Sequence, residues 1–349
     1  MLVTHTLSAG GAERVVTDLA IHLPTYGCDV EVVTLLGGGI FEAELLQQGV
    51  KVTHLSKEGI GGWKTVMNLV RLFREKKPDV VHTHLFLADT WGRIAGYVAH
   101  VPVLISTEHN VHASYRLYHH VVNRFLVLVT TYIVAVSNTV RLTLQQHGVS
   151  DAKIVLIRNG IDCARFPVRS KHPFHDPPRL IAVGRFFEQK NHALLFEALA
   201  RVKEPWRLQL VGEGPLEREL RQHAERLKIS SRIEWLGVRA DVPKLLASAD
   251  LFCFPSRWEG LGLAVMEASI VGVPILASDL PPIRELFADG DITFIPCDDV
   301  DAWASEISYA LSHPIELIER ADQTLAKARS EMGLPQMISA HAELYRSSL

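Results

Sequence analysis

The stretch Pro255-Ser256-Arg257-Trp258-Glu259-Gly260-Leu261-Gly262-Leu263-Ala264-Val265-Met266-Glu267-Ala268 decides how the rest of the chain is read. Before it, residues 250–254 have the apolar character of a short buried parallel strand, and after it residues 264–271 suit a helix with small and apolar faces. A strand, a glycine-bearing loop and a helix start aim backbone N–H groups and a positive dipole at a phosphate. Glu259 and Glu267 stand eight positions apart, so both can face a ligand held at the helix N-terminus. Phosphates on backbone amides and sugar hydroxyls on carboxylates then share the work. The spacing alone fits a surface loop with two solvated glutamates equally well.

A length of 349 residues suits two domains, and an apolar share of 48% is ample for two cores. The net charge of −3 argues against a nucleic-acid partner held by bulk electrostatics. Through Arg165 the chain has 15 Lys+Arg against 13 Asp+Glu, and beyond it 21 against 26. A mildly basic first half fits an anionic partner or a membrane surface. Cys28, Cys163, Cys253 and Cys297 lack metal or redox spacing and read as reduced, mostly buried residues of a cytoplasmic protein. Met1 lies almost inside a strand, so no signal peptide is expected. The longest apolar run, residues 125–136, is interrupted by Thr130, Thr131 and Tyr132 and is too short to span a bilayer, which leaves peripheral contact.

From residue 2 to residue 158, short apolar strands alternate with helices, which means parallel βαβ units and a sheet covered on both faces. Residues 163–178 break that rhythm with a polar, proline-rich run that reads as an interdomain linker. A second alternating series starts at Arg179, and residues 283–287 and 293–296 are counted among its elements before helices from Val300 onward. The fold class is therefore α/β, with two Rossmann-like domains facing each other across a cleft and loops pointing into it. The expected boundaries are 1–165 and 179–330, a linker at 166–178, and a helix at 331–349 that packs back towards the first domain.

Gly184 permits close approach at a strand end, and Arg185 and Lys190 place two cations in one loop, which suits a diphosphate clamp. No Asp-x-Asp stands where it could hold a divalent metal on that diphosphate, so the cations would replace the metal and no cofactor is expected. Gly214, in the turn at residues 211–215, either borders a nucleotide base or serves an ordinary turn. Asn159 beside Gly160 suits a left-handed turn near the hinge. Gly10 and Gly11 open the first helix after the first strand and allow a ligand close to the backbone. His109 follows a strand and can hydrogen-bond a reacting sugar or relay a proton. His82 and His84 flank Thr83, one read as core and the other as lining the cleft. Their spacing, without a carboxylate or thiolate partner, argues against zinc.

Gly10 to Arg14, Thr107-Glu108-His109, residues 159–162, Gly184-Arg185 with Lys190, residues 212–215 and Glu259 to Glu267 make the chain resemble retaining glycosyltransferases of family 4, with the GT-B fold, over essentially its whole length. The resemblance implies that Arg185 and Lys190 bind the donor diphosphate with the Gly262-Leu263 amides, and that Glu267 binds ribose. It also implies that Glu259 contacts the transferred sugar and that His109 sits beside its anomeric region. Asn191 stands where the family often has glycine, and Leu261 where it often has phenylalanine.

The expected activity is metal-independent transfer of a sugar from a nucleotide-diphosphate donor to an acceptor hydroxyl with retention. A UDP-sugar is the first choice of donor and a GDP-sugar the second. The expected setting is bacterial cell-surface polysaccharide or glycolipid assembly at the inner face of the membrane. The rivals are a sugar-nucleotide epimerase, a glycosyl phosphorylase and a non-catalytic binding subunit. A nicotinamide dehydrogenase is disfavoured because no G-x-G-x-x-G follows the first strand. Arg116 and Arg124, on an amphipathic helix over residues 114–129, are the candidate contacts with an anionic membrane or lipid-linked acceptor.

Overall fold

The computed structural model describes every residue except 57–61, 112–116 and 171, and every side chain of those residues except the ones at 117, 118 and 120. The chain forms two compact units, residues 1–160 with 334–349, and residues 161–333.

The first unit runs β1 (Leu2–Thr4), α1 (Gly11–His22), β2 (Glu31–Thr34), α2 (Glu42–Gln47), β3 (Lys51–His54), α3 (Gly62–Lys76), β4 (Val80–His84), α4 (Phe86–Ala99), β5 (Val103–Glu108), α5 (Leu117–Val129), β6 (Tyr132–Ala135), α6 (Asn138–Gln146) and β7 (Ile154–Leu156). Its parallel sheet has the order β3-β2-β1-β4-β5-β6-β7. The second unit runs β8 (Arg179–Val183), α7 (His192–Arg201), β9 (Arg207–Val211), α8 (Glu217–Arg226), β10 (Ile233–Gly237), α9 (Val242–Ser248), β11 (Leu251–Phe254), α10 (Leu263–Val271), β12 (Ile275–Ser278), α11 (Pro281–Arg284), β13 (Thr293–Ile295), α12 (Val300–Ser312) and α13 (Pro314–Glu331). Its sheet, also parallel, has the order β10-β9-β8-β11-β12-β13. The last helix, α14 (Leu334–Ser348), belongs to the first unit.

Burial on both faces explains the apolar strands. All four residues of β11 and of β12 are buried. Most polar exceptions stand towards the carboxyl ends: Thr83 and His84 on β4, Ser106 and Thr107 on β5, and Ser278 on β12 are all buried, as is His82 in the middle of β4. Buried polar groups need partners, so these strand ends are where the fold gives up apolar burial for chemistry.

Several expectations need correction. Residues 283–287 are no strand: the helix Pro281–Arg284 ends there, with Pro281 and Pro282 at its first turn. The linker expected at 166–178 is held at Arg169 and His175. The Arg169 guanidinium donates to the Ala249 carbonyl at 3.2 Å, and the buried Asp250 carboxylate accepts from the amides of His175 (3.1 Å) and Arg179 (2.7 Å). Neither Asn159 nor Gly160 adopts a left-handed conformation. Of the cysteines only Cys253 is buried, and the other three are half-buried. No helix among the described residues is long and apolar enough to cross a membrane.

The helix α14 is tied to the first unit by Arg346, which donates to the Tyr26 carbonyl at 2.8 Å, and by Tyr345, whose hydroxyl shares a 2.5 Å hydrogen bond with His82 Nδ1. His341 stacks 5.6 Å from His82. Burial pushes the pKa of His341 down to about 4 and holds those of His82 and His84 well below the usual value. These rings are neutral in the fold. A histidine whose folded pKa lies below its unfolded value of about 6.5 takes up protons on unfolding. Its contribution to stability is complete above about pH 6.5 and is lost as the pH falls towards 4, at up to about 1.4 kcal/mol per pH unit for each group. Denaturant unfolding should therefore give a markedly lower stability at pH 5 than at pH 7.5. His341→Leu, which removes one titrating ring, should narrow that gap; an unchanged gap would show that His341 does not titrate this way.

Candidate active site

In the second unit the strand order reverses between β8 and β11, and open α/β sheets bind ligands outside the carboxyl ends of strands at such a point. The loops leaving these two strands carry both sequence motifs. Lys190 Nζ donates to Glu259 Oε1 at 2.5 Å, which ties one loop to the other. The Arg257 amide donates to the Gln189 carbonyl, and Gln189 Nε2 donates to the Trp258 carbonyl, each at 2.8 Å. The lysine stem crosses Gly184, where a Cβ would lie 3.2 Å from Lys190 Cδ, and its ammonium lies 5.0 Å from the Phe254 ring centroid. Asn191 is left-handed (φ 49°, ψ 40°), which a short polar side chain tolerates and which explains why glycine also suits the position.

The reading of two solvated glutamates is excluded. Glu259 is buried and ion-paired, while Glu267 lies half-buried on α10. At the start of that helix Gly262 has φ 90°, and a Cβ there would come within 2.3 Å of Ile283 Cδ1. Glycine alone fits, and it sets the direction of the Leu263 end, whose first amides have no intrahelical acceptor. Sequence reasoning overlooked Ser256 of this loop, whose hydroxyl is buried without a partner among the described residues. Arg185 differs from Lys190. It is exposed, stacks 5.0 Å from the Phe187 ring, and forms no ion pair among the described residues. Gly214 lets the loop after β9 meet the loop after β8: the Phe186 amide donates to the Glu213 carbonyl at 2.9 Å, and a Gly214 Cβ would be 2.5 Å from the Phe186 oxygen.

The sheet of the first unit reverses between β1 and β4. Gly10 and Gly11 follow β1 and open α1. Arg14 anchors that helix start: it is buried, pairs with Asp18 and with Glu44 (2.6 Å), and lies 5.1 Å from the Phe41 ring. The i,i+4 spacing of Arg14 and Asp18 was the available sequence signal; Glu44 was not foreseeable. Both His82 and His84 are wholly buried, so neither lines an open surface. His109, just past β5, lies with Nε2 2.9 Å from His84 Nδ1, and burial of its ring pushes its pKa down to about 4 although part of the residue reaches the surface.

Arg124 is exposed on α5, together with Val121, Phe125 and Leu128. Arg116 lies outside the described residues. A cavity of about 330 Å³ opens beside α5, with Arg93, Glu108 and Asn123 among its polar lining and Phe125, Leu128 and Leu144 among its apolar lining. His172, His175 and Asp250 have ligand atoms within 4.8 Å of one another, but the Arg169 guanidinium stands 3.5 Å from both His172 Nδ1 and Asp250 Oδ1 and would repel a cation there.

Because Glu259 is nearly buried, removing its partner leaves a charge without compensation. Lys190→Ala should lower the melting temperature of the ligand-free protein, whereas Arg185→Ala should leave it unchanged. Equal melting temperatures for the two variants would show that the ion pair does not hold the loops.

Residues 9–165 match the family described as Glycosyltransferase Family 4, and residues 165–330 match Glycosyl transferases group 1. The putative glycosyltransferase EpsF of Bacillus subtilis is 26% identical over 93% of this chain and 91% of its own length. The UDP-Gal:alpha-D-GlcNAc-diphosphoundecaprenol alpha-1,3-galactosyltransferase of Escherichia coli is 29% identical, and the match spans 62% of each chain. Among solved structures, Anabaena HepE in complex with UDP and glucose superposes with a TM-score of 0.88 at 22% identity, covering 99% of this chain and all of that one. WaaG, a glycosyltransferase involved in lipopolysaccharide biosynthesis, gives 0.79 at 17% identity over 99% of this chain and 99% of its own. The chain is thus a glycosyltransferase of the GT-B fold, composed of a family 4 domain followed by a group 1 domain.

Proposed function

We propose that this glycosyltransferase moves a sugar from a UDP-sugar to an acceptor hydroxyl with retention of configuration and without a metal ion, in bacterial polysaccharide or glycolipid assembly. The observation that carries this reading is the pairing of an uncommitted arginine, Arg185, with Lys190 and the glycine-started helix α10 on loops at one strand reversal. Negative charge grows on the leaving diphosphate as the bond from the anomeric carbon to its oxygen breaks. Cations and helix-start amides aimed at that charge stabilise it without a Lewis acid. The acceptor oxygen attacks from the same face, and the departing phosphate oxygen takes its proton. In this proposal Glu259 is assigned to the hydroxyls of the transferred sugar, Glu267 to the ribose and His109 to a hydroxyl near the reacting carbon. The choice of uridine is supported by the donor in the name of the Escherichia coli relative and by the UDP in the HepE complex.

A thermal-shift screen of UDP-, GDP- and dTDP-sugars should give the largest stabilisation with a UDP-sugar, since a ligand that binds only the folded state raises stability by mass action. Turnover with that donor should survive EDTA, and Arg185→Ala should lose about 2–4 kcal/mol of transition-state stabilisation. Loss of turnover in EDTA with rescue by Mg²⁺ would reverse the metal-independent assignment; undiminished kcat/KM in the variant would reverse the clamp.

On the acceptor side, the reading places α5 against an anionic membrane or a lipid-linked acceptor. Its support is Arg124 standing among the exposed Val121, Phe125 and Leu128, apolar groups that a surface helix would otherwise bury. The double substitution Arg124→Glu with Phe125→Ser should reduce co-sedimentation with phosphatidylglycerol vesicles and leave donor affinity unchanged. Unaltered sedimentation would remove the membrane role.

A further inference from the structure

His84 ends β4 opposite Thr107 of β5, which brings its ring beside His109, two residues further along. His84 Nδ1 and His109 Nε2 are 2.9 Å apart, so one ring donates and the other accepts. Which one donates is decided by the other side of His84. That ring is wholly buried, and its Nε2 has no partner among the described residues. Were His109 the donor, neutral His84 would carry its proton on Nε2 as an orphaned buried N–H. Donation by His84 leaves only an unused lone pair there. Orphaned buried N–H groups are rarer than under-satisfied acceptors, and each carries its full desolvation cost.

The surroundings hold the His84 ring in place. His82 packs 4.2 Å from it and is itself fixed at both nitrogens, by the Tyr345 hydroxyl at 2.5 Å and by Thr107 Oγ1 at 2.6 Å. Leu85, the next residue, has φ 68°, a conformation sparsely populated for a branched side chain and one that persists only where the surroundings impose it.

We propose that His84 is a positioning residue whose Nδ1–H donates to His109 Nε2, so that His109 carries its own proton on Nδ1 and meets its ligand as an N–H donor. This rests on the reading in which His109 faces the transferred sugar. In that reaction His109 holds a sugar oxygen and accepts no proton, which leaves deprotonation of the acceptor to the departing diphosphate. Burial, which keeps both imidazoles neutral, removes the alternative of a charged ring donating at both nitrogens.

Long-range ¹H–¹⁵N correlation on the full-length protein labelled at histidine nitrogens reports the tautomer directly. The expected result is a protonated Nδ1 and an unprotonated Nε2 at His109. His84→Leu should release His109 into the Nε2–H form and lower kcat/KM roughly tenfold or more. His84→Asn, whose side-chain N–H falls near the lost Nδ1–H, should restore the tautomer and most of the rate. A protonated Nε2 at His109 in the native protein overturns the proposal, and this result needs no variant to fold. A tautomer unchanged in His84→Leu overturns it as well. Undiminished turnover in His109→Ala, with the native tautomer as assigned, would count against the role of His109 in the reaction and leave the polarity of the pair standing.

Discussion

One ion pair, Lys190 with Glu259, joins the two halves of the second sheet at the point where its strand order reverses. Its partners are 69 positions apart in the chain and 2.5 Å apart in space. The pair is worth having because Glu259 is nearly out of water: a lone carboxylate there would be strongly unfavourable, and the lysine offsets that cost while its stem lies over Gly184. Fixing these side chains also fixes the loops, and with them the direction in which α10 starts. The charged side chains of the candidate site, Lys190 and Glu259, are thus held by one another. Arg185, one residue beyond Gly184, is left with its charge unspent.

The first unit solves a different problem. Its β4 and β5 carry buried polar residues towards their ends, which find partners nearby: Thr83 donates to Asp89 of α4 at 2.6 Å, and His82 bonds Thr107 of β5 at 2.6 Å. The last helix of the chain closes the arrangement with Tyr345 and His341. A row of neutral imidazoles in a dry interior is sensitive to geometry, because each nitrogen is either donor or acceptor and a misplaced proton has nowhere to go. His82 bonds Tyr345 of α14 and packs 4.2 Å from the His84 ring, so the last helix adjoins the surroundings of the His84–His109 pair.

Much of the fold was legible because it is written locally. Apolar strands at βαβ spacing, glycines at strand ends and a proline-rich break mark elements and their order without reference to anything distant. The local reading went wrong where packing or a competing local signal decided the outcome. Residues 283–287 look apolar enough for a strand, yet Pro281 and Pro282 start a helix. The stretch at 166–178 reads as a linker by composition, and where it is held depends on folded neighbours: Asp250 accepts from the His175 amide and Ala249 from the Arg169 guanidinium. Site residues divide in the same way. Gly262 and Lys190 could be named from their motifs, whereas the burial of Ser256, the Arg14–Glu44 pair and the contact of His82 with Tyr345, 263 positions away, depend on folded neighbours.

We place the donor diphosphate on the loops after β8 and β11, against the start of α10. The most direct test is a crystal structure of the protein grown with UDP and no divalent metal. The expected result is a diphosphate within hydrogen-bond reach of the Arg185 guanidinium, the Lys190 ammonium and the Leu263 amide. A diphosphate ordered elsewhere, or bound there only through an added metal ion, would contradict it.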